Sequence, residues 1–219
     1  MQIKALFFDI GGVLLTNGWD LPARKRAARI FHLDWADMEE RHHLTFEAHE
    51  QGKITLDQYL SLVVFHRKRP FTRAEFRRFI FAESKPYPEM LELAARLKAR
   101  HGLKIAVVSN EARDINAHRI RKFRLDRFVD FFVSSCFVQL RKPDAAIFRL
   151  ALDLAQVAAH QVVYVENTAM FVQVAEGLGI RGILHADYRS TCAKLGAFGI
   201  DPGEGGPRRG TSTRNRNEN

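Results

Sequence analysis

Asp9 ends an apolar run, Ala5-Leu6-Phe7-Phe8, and is followed by Ile10-Gly11-Gly12-Val13-Leu14. A carboxylate at the end of a buried strand, with a tight glycine turn behind it, stands where open α/β sheets bind their ligands. There it can serve as a nucleophile, a metal ligand, or both. An Asp before glycines also serves as a helix N-cap or turn residue, and this stretch alone leaves the two readings open. Three other stretches bear on the choice. Val107-Val108 runs into Ser109-Asn110, Val163-Tyr164-Val165 runs into Glu166-Asn167, and Lys142 is held by Pro143 ahead of Asp144. Singly, Ser-Asn is a common cap and Lys-Pro a common surface turn. Gathered at one edge, they would supply two acids, a hydroxyl, amides and an ammonium. A phosphate fits such a set: lysine and backbone N–H groups neutralise it, the hydroxyl donates to it, and a divalent cation bridges it to the acids.

The elements that must gather these residues are legible as short apolar runs alternating with helical patterns. Ile3–Phe8, Lys104–Val108, Phe131–Ser134 and Val162–Val165 read as buried parallel strands, with a weaker fifth at Gly182–His185. Helical patterns fall at Glu89–Arg100, Arg113–Phe123, Ala145–Leu154 and Met170–Leu178. This alternation predicts an α/β fold with a doubly wound, Rossmann-like parallel sheet. Right-handed crossovers then put every strand's carboxyl end on one edge. Residues 20–85 break the rhythm, with helical patterns at Ala23–Phe31, Trp35–Glu50, Leu56–Val64 and Arg73–Phe81 and no strand signal. Leaving the chain just after Asp9, this segment is expected to hang over the ligand edge as a small all-helical cap. The expected core is residues 1–19 and 86–200. Residues 201–219, rich in Gly, Arg, Asn, Ser and Thr, read as a disordered tail.

The four polar stretches, in order and at familiar spacing from Ile3 to about Gly182, resemble the motifs of the haloacid dehalogenase superfamily. That family is made up mostly of phosphatases and phosphotransferases. Its first motif, strand then Asp-x-Asp-Gly-Val, is similar to Phe8-Asp9-Ile10-Gly11-Gly12-Val13. Its second, an apolar strand then Ser/Thr-Asn, matches Val107-Val108-Ser109-Asn110, and its third, Lys-Pro-Asp before a helix, matches Lys142-Pro143-Asp144. Its fourth, an acidic pair before a helix ending in Leu-Gly, corresponds to Glu166-Asn167 with Leu178-Gly179. The resemblance implies a hydrolase in which Asp9 attacks phosphorus and Lys142 assists. Gly12, Ser109, Asn110 and Lys142 would hold the phosphoryl oxygens. Asp9, the Gly11 carbonyl, Glu166 and Asn167 would hold Mg2+.

Three departures stand out. The family's usual general acid, two residues after the nucleophile, is Gly11 here, which removes a role typically worth ~100- to 10,000-fold. The fourth motif reads Glu-Asn rather than Asp-Asp, and Phe171 stands where the family often has an asparagine. Three readings follow: a phosphatase for small phosphorylated metabolites, a metal-independent dehalogenase-type hydrolase, and a catalytically silent binding domain. Retention of Glu166 favours the first over the second, and retention of Asp9 with Lys142 argues against the third.

The totals bound the rest. The chain has 219 residues, 46% of them hydrophobic, enough for one domain and a smaller lobe. No apolar stretch approaches the ~20 residues needed to span a bilayer. Cys136 and Cys192 form no metal spacing and read as free thiols, so a cytoplasmic protein without membrane attachment is expected. The net charge is +9, densest over residues 113–127, with six basic and two acidic groups. With no interleaved aromatic platform, that run reads as a solvated helix face rather than a nucleic-acid patch. His42, His43 and His49 share a helical pattern, but no known metal spacing. The expected partner is a small anionic phosphate ester, bound by a monomer or homodimer.

Overall fold

The computed structural model describes residues 2–203. Five strands, β1 (Ala5–Phe8), β2 (Lys104–Ser109), β3 (Phe131–Ser134), β4 (Val162–Glu166) and β5 (Arg181–Leu184), form one sheet in the order β3-β2-β1-β4-β5. Every pairing is parallel, with Phe8 level with Val107 on one side and Val165 on the other. β1 is therefore central, and all four of its residues are buried. Its side chains alternate as the pleat requires. Leu6 and Phe8 join Ile105, Val107, Val163 and Val165 in one apolar cluster. Ala5 and Phe7 join Ala106, Val108, Val162 and Tyr164 in a second, on the opposite face. Helices cover both faces, as an all-parallel sheet needs. α5 (Pro88–His101) contributes Met90, Leu93 and Leu97 to the first cluster, and α8 (Ala145–Ala155) contributes Ile147, Phe148 and Ala151 to the second.

Between β1 and α5 lie α1 (Leu21–Ile30), α2 (Trp35–Glu50), α3 (Leu56–Val63) and α4 (Arg73–Ala82). Their starts are specified locally. Asp20 and Asp34 accept from Ala23 N and Asp37 N, and Thr55 and Thr72 form capping boxes with Gln58 and Glu75. The four helices share an apolar cluster containing Met38, Leu56, Tyr59, Leu60, Phe76 and Ile80, joined by Ala112 and Ile115 from the core side. α6 (Arg113–Phe123) and α9 (Ala169–Glu176) follow β2 and β4, and a short helix, α7 (Ser135–Val138), follows β3.

The last described helix, α10 (Tyr188–Ala197), carries no strong sequence signal, since it is only weakly amphipathic. Asp187 starts it by accepting from Ser190 N, and Leu195 anchors it in the first cluster. The tail expected from residue 201 begins differently. Asp201 pairs with Arg100, and Pro202 O accepts from Arg96, both on α5. Residues 204–219 lie outside the described residues. The basic run at 113–127 is not uniformly solvated either. Arg119 is 3% exposed, and its guanidinium donates to Glu111, Thr16 O and Ser84 Oγ. It thereby ties α6 to both chain segments that lead into and out of the helical insert. No described helix is long and apolar enough to cross a membrane.

Candidate active site

The carboxyl ends of β1, β2 and β4 meet as the sheet order dictates. Asp9 N extends the ladder by donating to Val165 O at 3.0 Å, which fixes its side chain at the edge beside the end of β4. From the loop before α8, Lys142 reaches back beneath it. The Lys142 ammonium donates to Asp9 Oδ1 at 2.8 Å, to Glu166 Oε2 at 2.6 Å and to Tyr164 OH at 3.1 Å. Lys142 is 1% exposed and Glu166 is 0% exposed, so all three donor positions of the ammonium are spent inside protein. Burial works against the Lys142 charge, but the two carboxylates overcome it and hold its pKa above the ordinary value. Burial raises the Asp9 carboxyl, while Lys142 pulls the other way. The Tyr164 phenol is pushed well above its usual range by burial first and by Glu166 next, so it remains a donor. It gives its proton to Glu166 Oε2 at 2.5 Å.

Tyr164 was not among the expected site residues. Its signal was available: it precedes Glu166 by two positions, so the two share a face of β4.

Two of the expected phosphate ligands are otherwise engaged. The Asn110 side chain clamps the backbone of Lys142, with Oδ1 accepting from Lys142 N at 2.8 Å and Nδ2 donating to Lys142 O at 2.9 Å. It positions the lysine, with one amide hydrogen left over. The Gly12 N–H, expected to face an anion, donates instead to Leu15 O at 2.6 Å and closes the turn. Gly12 has φ of +77°, and a Cβ there would lie 2.1 Å from the Asn167 side-chain amide, so both conformation and closeness require glycine. Ser109 is buried at the end of β2, and its hydroxyl helps hold the Asp9 carboxyl down against burial.

The fourth motif divides into a buried half and an exposed half. Glu166 lies behind the site, its Oε1 accepting from Thr168 N at 2.9 Å. Asn167 faces outward. Assigned by hydrogen bonding, its amide nitrogen lies 3.3 Å from Gly11 O and 2.8 Å from Glu166 Oε1. Above these groups opens a cavity of about 420 Å³, walled on the sheet side by Asp9, Gly11, Ser109, Asn110, Lys142 and Asn167. The helical insert and its approach supply Trp19, Arg24, His42, Phe46, His49 and Glu50 to the opposite wall. Phe171, in place of an asparagine, lays its ring 4.9 Å from the Lys142 ammonium, a cation–π contact that shields the charge from water.

His42 and His49, dismissed as metal ligands on spacing, prove to be structural neighbours of this cavity. Trp19 Nε1 donates to Tyr59 OH at 2.8 Å, and Tyr59 OH meets His42 Nδ1 at 2.8 Å. Since the Tyr59 oxygen already accepts, its proton goes to Nδ1, leaving His42 with a donor at Nε2. His49 stacks on Tyr59 at 4.3 Å. Burial lowers both imidazoles to about 4, so both are neutral at physiological pH.

A family model of haloacid dehalogenase-like hydrolases matches residues 3–179. The chain belongs to that family. Among related members, this haloacid dehalogenase-like hydrolase is 25% identical over 89% of its length to pig (Sus scrofa) bifunctional epoxide hydrolase 2, of which it spans 38%. It is 24% identical over 84% of its length to a phosphorylated carbohydrates phosphatase of Thermotoga maritima, covering 87% of that protein. A HAD family enzyme of Bacteroides thetaiotaomicron, solved with magnesium and inorganic phosphate, has the same fold. It superimposes with a TM-score of 0.71 at 20% identity, over 84% of this chain and 94% of that one.

Proposed function

We propose that this hydrolase is a Mg2+-dependent phosphatase that cleaves small phosphate monoesters through Asp9, with the helices of residues 20–85 acting as a cap over the substrate. The observation that carries the reading is the Lys142 ammonium shared between Asp9 and Glu166 at the floor of an open cavity. That arrangement aims the Asp9 carboxylate and opposes the burial that favours its neutral form, as a nucleophile needs. The phosphatase named among the relatives and the magnesium–phosphate complex named among the neighbours support it.

The donor set suits a hard cation. The Asp9 carboxylate, the Gly11 carbonyl and the Asn167 amide line the cavity, and the Glu166 carboxylate stands behind them. Asp9, the Gly11 carbonyl and Asn167, once its amide turns to present oxygen, would hold Mg2+, which takes oxygen ligands. Charge points the same way. Arg24 is spent on Glu39 and Trp19 O, Arg119 on Glu111, Ser84 and Thr16, and Arg141 on Glu50 and Glu47. Lys142 already serves two carboxylates, so a phosphate dianion entering here needs further positive charge. Mg2+ would supply it by neutralising phosphoryl oxygens and the attacking carboxylate. Ser109 would donate to a phosphoryl oxygen, and Lys142 would hold Asp9 in line with phosphorus.

The outer wall argues for an uncharged leaving group. Its guanidiniums are paired and its imidazoles neutral, while Trp19, Phe46 and the histidines offer stacking faces and hydrogen bonds. A panel of phosphorylated metabolites assayed for phosphate release, with and without Mg2+, tests the proposal. Turnover of monophosphates of sugars or polyols, dependent on Mg2+ and exceeding that of bisphosphates, is expected. Absence of release from every member of the panel would sink it.

Asn167→Asp is a sharper probe of the ion. It adds a charge to a site whose cation affinity follows ligand charge. The Mg2+ concentration for half-maximal activity should fall about tenfold, as should the calorimetric dissociation constant for Mg2+ alone. If both titrations were unchanged, Asn167 would lie outside the ion's reach.

A further inference from the structure

Gly11 has no side chain to exchange a proton with a leaving oxygen, and the side chain nearest its missing Cβ is an amide. A Cβ at Gly11 would meet Asn17 Oδ1 at 2.8 Å. An amide neither releases nor takes up a proton near neutral pH, so the proton must come from elsewhere on the cavity wall. Most of the candidates there are engaged. Glu50 binds Arg141, Asp20 caps α1, and Lys142 is spent on Asp9, Glu166 and Tyr164. His42 and His49 are held neutral at about 4.

Glu111 is different. It lines the cavity two residues beyond Ser109 and is 5% exposed. Its Oε1 pairs with Arg119 Nη1 and accepts from Ser109 Oγ at 3.5 Å. No described residue bonds its Oε2. One carboxyl oxygen without a described partner therefore stands on the cavity wall beside Ser109, on a residue whose backbone is pinned by Ser135 Oγ at 2.9 Å. Burial pushes this carboxyl up to about 7. Arg119 opposes the shift, while Asp9 and Glu50 add to it. General acid–base catalysis works best when the group's pKa lies near the working pH.

We propose that Glu111 is the acid–base residue of this site, taking the place left empty by Gly11. The inference rests on the phosphatase reading above. In the first half-reaction, an Asp9 oxygen forms a bond to phosphorus as the bond from phosphorus to the leaving oxygen breaks. The electron pair stays on that oxygen, which takes the proton from Glu111 Oε2 and departs as an alcohol. The resulting Glu111 carboxylate stays paired with Arg119. In the second half, a water oxygen bonds to phosphorus, Glu111 takes its proton, and the phosphorus–Asp9 bond breaks. Inorganic phosphate is released, and Asp9 and Glu111 are back as carboxylate and carboxylic acid.

The test compares the whole chain with its Glu111→Gln variant, in Mg2+, on two substrates. Glycerol phosphate has a leaving group that needs a proton, and p-nitrophenyl phosphate has one that does not. On glycerol phosphate, kcat/KM of the variant should fall ~100-fold or more. On p-nitrophenyl phosphate, kcat/KM should stay within about tenfold, because it reports phosphorylation alone. Steady-state turnover on that substrate should nevertheless slow after a burst of about one p-nitrophenol per site, since the base for water is gone. The wild-type decline of kcat/KM on glycerol phosphate above about pH 7 should vanish in the variant. Glu111→Asp keeps a carboxylate for Arg119 but withdraws it by one methylene, and the same split between substrates is expected if the glutamine variant folds poorly. Equal losses on both substrates, or an unchanged pH limb, would overturn the assignment and leave Glu111 a structural partner of Arg119. A wild type that hydrolyses both substrates and a variant that matches it would remove Glu111 alone. A wild type that hydrolyses neither, nor any member of the metabolite panel, would remove the phosphatase reading and this inference together.

Discussion

Asp9→Asn is expected to abolish phosphate release, by at least ~10⁴-fold, while the protein stays folded. The loss follows from chemistry: an amide oxygen is a poor nucleophile, and removal of the attacking group in covalent catalysis typically costs several powers of ten. Persistence of the fold follows from the surroundings. Asparagine keeps the shape of aspartate, and Lys142 retains Glu166 at 2.6 Å as its counter-ion. Burial already disfavours the Asp9 charge, so its loss removes a desolvation cost along with an attraction. The net stability change should be within about 2 kcal/mol, read from denaturant melts. Phosphate release is the first measurement, and acid-trapped phosphoenzyme is the second. Wild type should show the covalent species and the variant should not. Full Mg2+-dependent turnover by the variant would rule out Asp9 as the nucleophile.

How much of this arrangement was legible in the sequence depends on whether a residue's role is set by its own strand or by distant ones. The sheet was readable because parallel strands buried on both faces appear as short apolar runs, and Asp9, Ser109 and Glu166 end such runs. The strand ends then converge by topology alone. Hydrogen-bond assignments between loops were not readable. Asn110 and Lys142 are 32 positions apart, and nothing local says that the amide clamps the lysine's backbone. The Gly12 amide is lost to Leu15 through the geometry of a turn. Arg119 sits in a basic run of solvated appearance, yet it is buried because Glu111, Thr16 and Ser84 converge on it from three separate segments. The hydroxyl of Tyr164 was hidden for another reason. An aromatic inside an apolar strand reads as core, and only the neighbouring carboxylate two positions on marks it as polar. The cavity's outer wall depends on how α2 sits over the sheet. That seat is set by Arg141 reaching Glu50 and Ser135 reaching Glu50 O, contacts across 85 residues or more.

Lys142→Met tests the same cluster from the side of stability, and its effect should be large. The methionine matches the lysine stem in bulk but removes the ammonium, leaving Asp9 and Glu166 close together and almost wholly buried without a cation. Breaking a buried ion pair from one side typically costs about 3–5 kcal/mol. That is a major share of the 5–15 kcal/mol by which domains are usually stable. For a chain of this size each kcal/mol corresponds to roughly 2–4 °C, so the midpoint should drop by roughly 6–20 °C. The pH dependence gives the cause its signature. Without Lys142 the Asp9 carboxyl loses the attraction opposing burial, and its folded pKa moves further above the unfolded one. A carboxyl raised in this way costs nothing below its unfolded pKa, and its full penalty applies above its folded pKa. The deficit relative to wild type should therefore be largest at pH 8 and shrink steadily toward pH 4, as the Asp9 carboxyl takes up a proton. Activity should be lost at every pH, because no ammonium remains to hold Asp9 in line. A variant melting within about 1 kcal/mol of wild type at pH 8 would mean that the two carboxylates do not depend on Lys142. A deficit that is the same at pH 8 and pH 4 would trace the loss to packing rather than charge.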